Sequence, residues 1–301
     1  MTFCAGVKKE LSENSSLNGC CLAAQLYGIL LFSKVFSFSR ITVSSEHKFI
    51  FEHIRNSLID YGIKPEVLSV AKTTRDYSIK ITDKKTLDRL FFDFGYTGEE
   101  PNIRILRQNF MCDSCESAFI AGCFIAGGNI TAPGKGYHLE FSTHKVNLSN
   151  DLAELLKSLE LEPRRTIRGY SKVLYFKNST HIEDMLTFMG AANSSLELMN
   201  TKIHKEIVNT VNRRTNCETA NIDKAVNASA RDRECIEYVY SKKGKSYLPD
   251  DLTEIAKLRL DNPELTLAEL GEKLDPPLTK SGVSHRLRRI RGEANKLKSG
   301  Q

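Results

Sequence analysis

Apolar positions recur along this chain with two periods, and the order of those periods repeats. The stretch AFIAGCFIAGGNI, Ala118 to Ile130, reads as an apolar helix with a small-residue spine of Ala121, Gly122, Gly127 and Gly128, a composition that lets two helix backbones approach closely. AQLYGILLFSKVF near the start aligns with it, setting Leu26 and Gly28 opposite Ile120 and Gly122 at an offset of 94. After the first copy come ITVSS (Ile41 to Ser45), an amphipathic run ending in IDYGIKPEV, an alternating YSIKI (Tyr77 to Ile81) and a helix closing at FFDFGY. After the second come YHLEFST (Tyr137 to Thr143), an amphipathic run ending in LELEPRR, an alternating VLYFK (Val173 to Lys177) and a helix closing at LTFMGA. Pro65 pairs with Pro163 at offset 98 and Gly95 with Gly190 at offset 95. Period-2 alternation marks the strands and i, i+3, i+4 spacing the helices, as at Leu152, Leu155, Leu156 and Leu159. Each copy is therefore expected to run helix, strands, helix, strands, helix.

Beyond Gly190 the pattern turns polar and Asn-rich. Asn193 and the two following serines read as a helix start, and Leu196, Met199, Ile203, Ile207 and Val211 continue at helical spacing until NRRTNCETAN breaks it, which predicts a hinge. From about Ala220 short helices follow: one ending at Lys242-Lys243-Gly244, one opening at Pro249 and stopping at Asp261 to Pro263, and one opening with a capping box at Thr266 and Glu269. After DPPLTK the last helix buries a stripe of Val283, Leu287, Ile290, Ala294 and Leu297. Its opposite face carries Ser281, Ser284, His285, Arg288 and Arg289, flanked by Arg286 and Arg291.

Composition sharpens this outline. The chain has 301 residues, 41% hydrophobic and 27% charged, enough for two or three domains with a substantial core. A net charge of +6 is mild, so the location of the basic residues carries the information. Between Lys280 and Lys298 seven Lys or Arg face a single acid, Glu293, a bias that a merely solvated helix does not need. Thr279, Lys280, Ser281, Ser284, His285, Arg286, Arg288, Arg289 and Arg291 are therefore the candidate DNA contacts of a helix-turn-helix, with Arg288 and Arg289 foremost. A second candidate surface is the basic hairpin of Arg164, Arg165, Arg168, Lys172 and Lys177, with Tyr170 among them; its alternative is a strand edge protected by charge.

MTFCAGVKKELSEN has charges by Lys8 and no apolar core before them, so no secretory signal is expected. The apolar run Cys20 to Phe32 is broken by Gln25 and falls short of the ~20 residues a bilayer crossing requires. A cytosolic, nucleoid-associated protein with reduced thiols and no cofactor is the expectation. Cys20 and Cys21 precede the first central helix, Cys112 and Cys115 the second, and a pseudo-twofold axis would bring these four thiols together. Zinc is one reading of them; buried free thiols capping the helix pair is the reading adopted here. Asp113 and Glu116 read as a capping box for the second helix.

The duplicated unit resembles the LAGLIDADG homing-endonuclease fold, through IAGCFIAGG, Ile120 to Gly128. That resemblance implies two helices packed at a pseudo-dyad beneath two sheets that straddle DNA. The acidic position that holds the catalytic metal in such enzymes falls on Ser33 in the first copy and Gly127 in the second, so an active Mg²⁺-dependent nuclease is not expected. Over its whole length the chain resembles the WhiA family of transcription regulators, from FCAGVKKELS through NRRTNCETAN to SGVSHRLRRI. The resemblance implies a non-catalytic regulator that binds double-stranded DNA at promoters, linked to sporulation or to cell division and chromosome segregation, with a second transcription regulator as a further partner. A nucleoid-associated scaffold acting in cell division is the alternative. The fold class expected is α+β: a duplicated LAGLIDADG-like domain with pseudo-twofold symmetry over 1–193 (copies 1–98 and 99–193), a helical hinge over 194–219, and an all-α helix-turn-helix domain over 220–301.

Overall fold

A computed structural model of the chain describes residues 1–14, 17–74 and 76–299. The chain forms two compact units, Met1–Lys205 and Glu206–Gln301. In the first, α1 (Phe3–Ser12) precedes two copies of one motif. The first copy is α2 (Gly19–Leu31), β1 (Val35–Ser37), β2 (Arg40–Ser45), α3 (Lys48–Asp60), β3 (Ser69–Lys72), β4 (Tyr77–Ile81) and α4 (Lys84–Asp93). The second is α5 (Ser114–Gly127), β5 (Gly128–Ile130), β6 (Leu139–Thr143), α6 (Val146–Ser158), β7 (Arg164–Arg168), β8 (Ser171–Phe176) and α7 (Ser179–Met189). Each copy builds an antiparallel four-stranded sheet, in the orders β1-β2-β4-β3 and β5-β6-β8-β7. The spacing between copies is 95 residues at the starts of α2 and α5, widens to 98 at α3 and α6, and closes to 94 at β4 and β8, which accounts for the wider Pro65–Pro163 spacing.

The core of this unit is the α2/α5 pair, buried from Ala24 to Leu31 and from Ala118 to Ile125. Two glycines make the approach possible, and they do so reciprocally. A Cβ at Gly28 would land on the Phe119 carbonyl oxygen, and one at Gly122 on the carbonyl oxygen of Gln25. Gly28 and Gln25 are the repeat equivalents of Gly122 and Phe119, so the two contacts are one contact seen twice. Gln25, the polar break in the apolar run, is satisfied: its Nε2 donates to the Leu11 carbonyl at 3.3 Å and its Oε1 lies 2.9 Å from His53 Nε2. The inner sheet faces supply Ile41, Val43, Ile79 and Ile81 from one copy and Leu139, Phe141, Leu174 and Phe176 from the other.

Two local expectations fail. No capping box forms at Asp113: that residue is helical (φ −58°, ψ −29°), the Cys115 N–H donates to the Cys112 carbonyl, and Glu116 turns to Arg107 instead. The expected break in the helix at NRRTNCETAN is absent as well, because α8 runs unbroken from Ala192 to Lys243. NRRTNCETAN contains weak helix formers but no Pro or Gly, and Arg214 pairs with Glu218 one turn on at 2.9 Å. The start of α8 is capped by Glu10 of α1, whose carboxylate accepts the Asn193 and Ser194 N–H groups at 2.7 and 3.0 Å and the Ser194 hydroxyl at 2.6 Å.

In the second unit the end of α8, which stops at Gly244 in a left-handed conformation (φ +85°), packs with α9 (Asp250–Asp261), α10 (Leu267–Glu272) and α11 (Lys280–Ser299). Ile236, Val239, Leu252, Ile255, Leu270, Leu274, Val283, Leu287, Ile290 and Ala294 form its core. The capping box at Thr266 and Glu269 is present in both directions. The turn into α11 closes tightly on Gly271, whose carbonyl accepts the Leu278 N–H at 2.9 Å, and a Cβ there would strike the Leu278 carbonyl oxygen.

Candidate nucleic-acid interface

The helix α11 buries Val283, Leu287, Ile290 and Ala294, which fixes what its other faces present. Thr279 caps it, accepting the Gly282 N–H on its hydroxyl at 3.3 Å. Thr279, Lys280, Ser281, His285 and Arg288 are exposed and Ser284 is half-buried. Ser281, His285 and Arg288 follow at i, i+4 and i+7, one face of the helix. None of Lys280, His285 or Arg288 has a hydrogen-bond or ion-pair partner among the described residues, so their donors are uncommitted.

The other three arginines are engaged within the unit. Arg289 pairs with Asp251 at 2.8 Å and Arg286 donates to the Asp251 backbone carbonyl at 3.2 Å, both at the start of α9. Arg291 holds the buried Asp232 of α8 at 2.9 Å; burial pushes the Asp232 carboxyl above its ordinary value, while Arg291 and the buried Arg259 pull the other way. Arg289 thus differs from Arg288 in having an ion-pair partner on α9. The partners lie 38 and 59 residues away in sequence, with no local pattern to announce them.

The structure also splits the basic hairpin. Strand register places Arg164, Thr166 and Arg168 on the face shared with Glu140 and Tyr175, and Arg165 and Lys172 on the opposite face, beside Val146, Asn150 and Ile167. Arg168 forks onto Glu140 with two bonds of 3.1 Å, and His138 adds a third at 2.8 Å. Burial works against the Glu140 charge, but those hydrogen bonds outweigh it and hold the carboxyl below its usual range. Arg165 donates to Asn150 at 3.1 Å, and Lys177 sits over the Tyr175 ring at 5.7 Å. The five residues do not form one surface. The outer face of the other sheet escaped the sequence reading: Arg40, Thr42, Ser44, Ser78 and Lys80 share it, with no acid in any of its four strands. The alternation within ITVSS and YSIKI was the available signal.

At the ends of α2 and α5, a cleft of about 350 Å³ is lined by Phe32, Ser33, Lys34, Val43, Ser44, Ala126, Gly127, Ser142, Thr143 and His144, with no carboxylate among them. Ser33 is spent locally, its hydroxyl donating to the Leu30 carbonyl at 2.6 Å and lying 3.2 Å from the Val35 carbonyl. Gly127 has no room for a side chain, because a Cβ would lie 2.6 Å from the Ser142 carbonyl oxygen. Lys145, absent from the sequence reading, donates to the Leu31 carbonyl at 3.2 Å, and burial pushes its ammonium down to about 8. The cleft lining thus offers hydroxyl and carbonyl oxygens but no carboxylate of the kind that usually anchors Mg²⁺. No helix among the described residues is long and apolar enough to cross a membrane.

Comparison with known proteins agrees with this layout. Residues 116–208 match the model of the WhiA LAGLIDADG-like domain and residues 211–294 that of the WhiA C-terminal HTH domain. A relative from Clostridium botulinum, named probable cell division protein WhiA, is 37% identical over 317 residues, covering 100% of both chains. One of the same name from Clostridium beijerinckii is 35% identical over 315 residues, again covering 100% of both. The crystal structure of full-length WhiA from Thermatoga maritima shares the fold, with TM-score 0.62 and 24% identity over 98% of this chain and 99% of that one. With its duplicated α+β unit stripped of acids at the helix ends, its helix-turn-helix and these full-length matches, the chain belongs to the WhiA family.

Proposed function

We propose that this protein is a sequence-specific, non-catalytic binder of double-stranded DNA, acting at promoters on the nucleoid as a regulator of cell division and chromosome segregation or of sporulation. One observation carries the reading: the exposed N-terminal half of α11, where Ser281, His285 and Arg288 share a face and have no partner among the described residues. In a helix-turn-helix this is the part that enters the major groove, where a guanidinium can donate two hydrogen bonds to a guanine edge. Lys280 and the hydroxyls of Thr279 and Ser281 stand beside it as phosphate donors. Arg286, Arg289 and Arg291 hold α11 at its angle by their bonds to Asp251 and Asp232.

The outer sheet faces supply a second, weaker contact surface. Arg40 and Lys80 on one sheet and Arg164 on the other are its cations, since Arg168 is neutralised by Glu140. Binding to duplex DNA followed by fluorescence anisotropy against salt tests the reading. Arg288→Ala is expected to weaken preferred sites about 10- to 100-fold, the worth of one good base contact. Arg164→Ala should weaken all sequences alike and lower the salt slope by about 0.9. Footprints without preferred sites, unchanged in Arg288→Ala, would sink the sequence-specific reading in favour of a nucleoid-bound scaffold.

A further inference from the structure

Four cysteines without a role in DNA binding meet at the starts of the central helices. Cys20 and Cys21 lie in the first turn of α2, Cys115 in the first turn of α5 and Cys112 just before it. Their Sγ atoms all lie within 4.8 Å of one another. Cys112 is in the middle, 3.6 Å from Cys20, 3.5 Å from Cys21 and 3.6 Å from Cys115. Four sulfurs at about 2.3 Å from one tetrahedral ion are roughly 3.8 Å apart, so the cluster already has the size of a single-ion shell. A disulfide would need two sulfurs at about 2.05 Å, well inside the 3.5 Å that separates Cys21 from Cys112.

We propose that Cys20, Cys21, Cys112 and Cys115 form a structural zinc site that clamps the starts of α2 and α5. The adjacent Cys20-Cys21 pair is an uncommon spacing for zinc, which counts against the site in the sequence alone. The fold removes that objection, because Cys112 stands within 3.6 Å of both sulfurs. All-sulfur donors select zinc over the hard cations that carboxylates would hold. Two helix N-termini direct their positive ends at the cluster and favour the negative charge of a tetrathiolate shell. Cys21 and Cys115 are buried while Cys20 and Cys112 are half-buried, so an ion can reach the site and, with four protein ligands, retains no open position for chemistry. Each ligating thiol gives up its proton on binding, including the one Cys20 now directs to Asn18 Oδ1 at 3.0 Å, so up to four protons leave as one Zn²⁺ enters. The site is independent of DNA contact by α11, and either can fail without the other.

The test uses full-length protein purified without chelator. Elemental analysis is expected to find one zinc per chain, and Co²⁺ added to the stripped protein should give intense thiolate-to-metal absorption with tetrahedral visible bands. Cys20→Ser and Cys112→Ser should each weaken zinc binding about 100-fold or more, while Cys217→Ser, an exposed cysteine on α8, leaves stoichiometry and affinity unchanged. Circular dichroism of each variant separates a lost ligand from a lost fold, and the wild-type cobalt spectrum decides the matter if a variant does not fold. A wild-type protein that takes up no metal and leaves all four thiols equally reactive with or without zinc overturns the proposal. So do zinc affinity untouched in both serine variants and iron–sulfur absorption in place of zinc.

Discussion

The starts and the ends of α2 and α5 belong to one helix pair and carry opposite chemistry. At the starts, four cysteines gather where backbone N–H groups present partial positive charge. At the ends, where carbonyls present partial negative charge, Ser33 and Gly127 stand in place of acids and the Lys145 ammonium bonds the Leu31 carbonyl. Acids at the second pole oppose the helix dipole and are tolerable when a divalent cation binds them. Here Lys145 places a positive charge, at a desolvation cost, and no carboxylate lines the cleft. One helix pair thus presents soft sulfur donors at one end and a cleft without carboxylates at the other.

The largest effect should come from parting the poles altogether. Gly122→Val puts its Cβ on the Gln25 carbonyl, and Gly28→Val does the same at Phe119; each is expected to cost at least about 3 kcal/mol, read as a collapse of the unfolding midpoint in urea. The two losses should be alike, since the contacts are equivalent; a tolerated Gly122→Val would refute the close approach. A smaller effect of opposite sign is expected at the C-terminal pole. The folded-state value of Lys145 lies below its ordinary one, so the unfolded chain binds more protons between about 8 and the ordinary lysine value, and wild-type stability rises with pH across that window. Lys145→Met should therefore be more stable than wild type at pH 7, by about 2 kcal/mol, and that advantage should fade above pH 8. Smallest is Ser33→Asp, which exchanges a donor for a negative charge facing the Leu30 and Val35 carbonyls and should cost about 1 kcal/mol. Mg²⁺ should not restore it, because no second carboxylate lines the cleft.

The duplication was legible in the sequence because it rests on local patterns: period-2 strands, apolar helices, and Gly28 and Gly122 at one offset. Helix-turn-helix elements were legible for the same reason, down to the Thr266 capping box. What escaped was settled over distance. Arg289 and Arg291 resemble Arg288 in sequence, and only Asp251 and Asp232, brought in by other helices, tell them apart. NRRTNCETAN reads as a break by propensity, yet without Pro or Gly nothing stops a helix already under way. The cap of α8 was sought in Asn193 and its serines, whereas the acceptor is Glu10, some 183 residues earlier.

The reciprocal glycine contact also sets a timetable for synthesis. Residues that bury the inner face of α2 belong to α5, whose equivalent positions leave the ribosome 94 residues later. At about 5–20 residues per second that interval lasts roughly 5–20 s. Throughout it the nascent first repeat has a sheet and an apolar helix but no partner for Gly28, an uncovered surface of the kind that holdase chaperones bind. The second repeat ends that exposure in one step, so the unit folds on the arrival of its own copy.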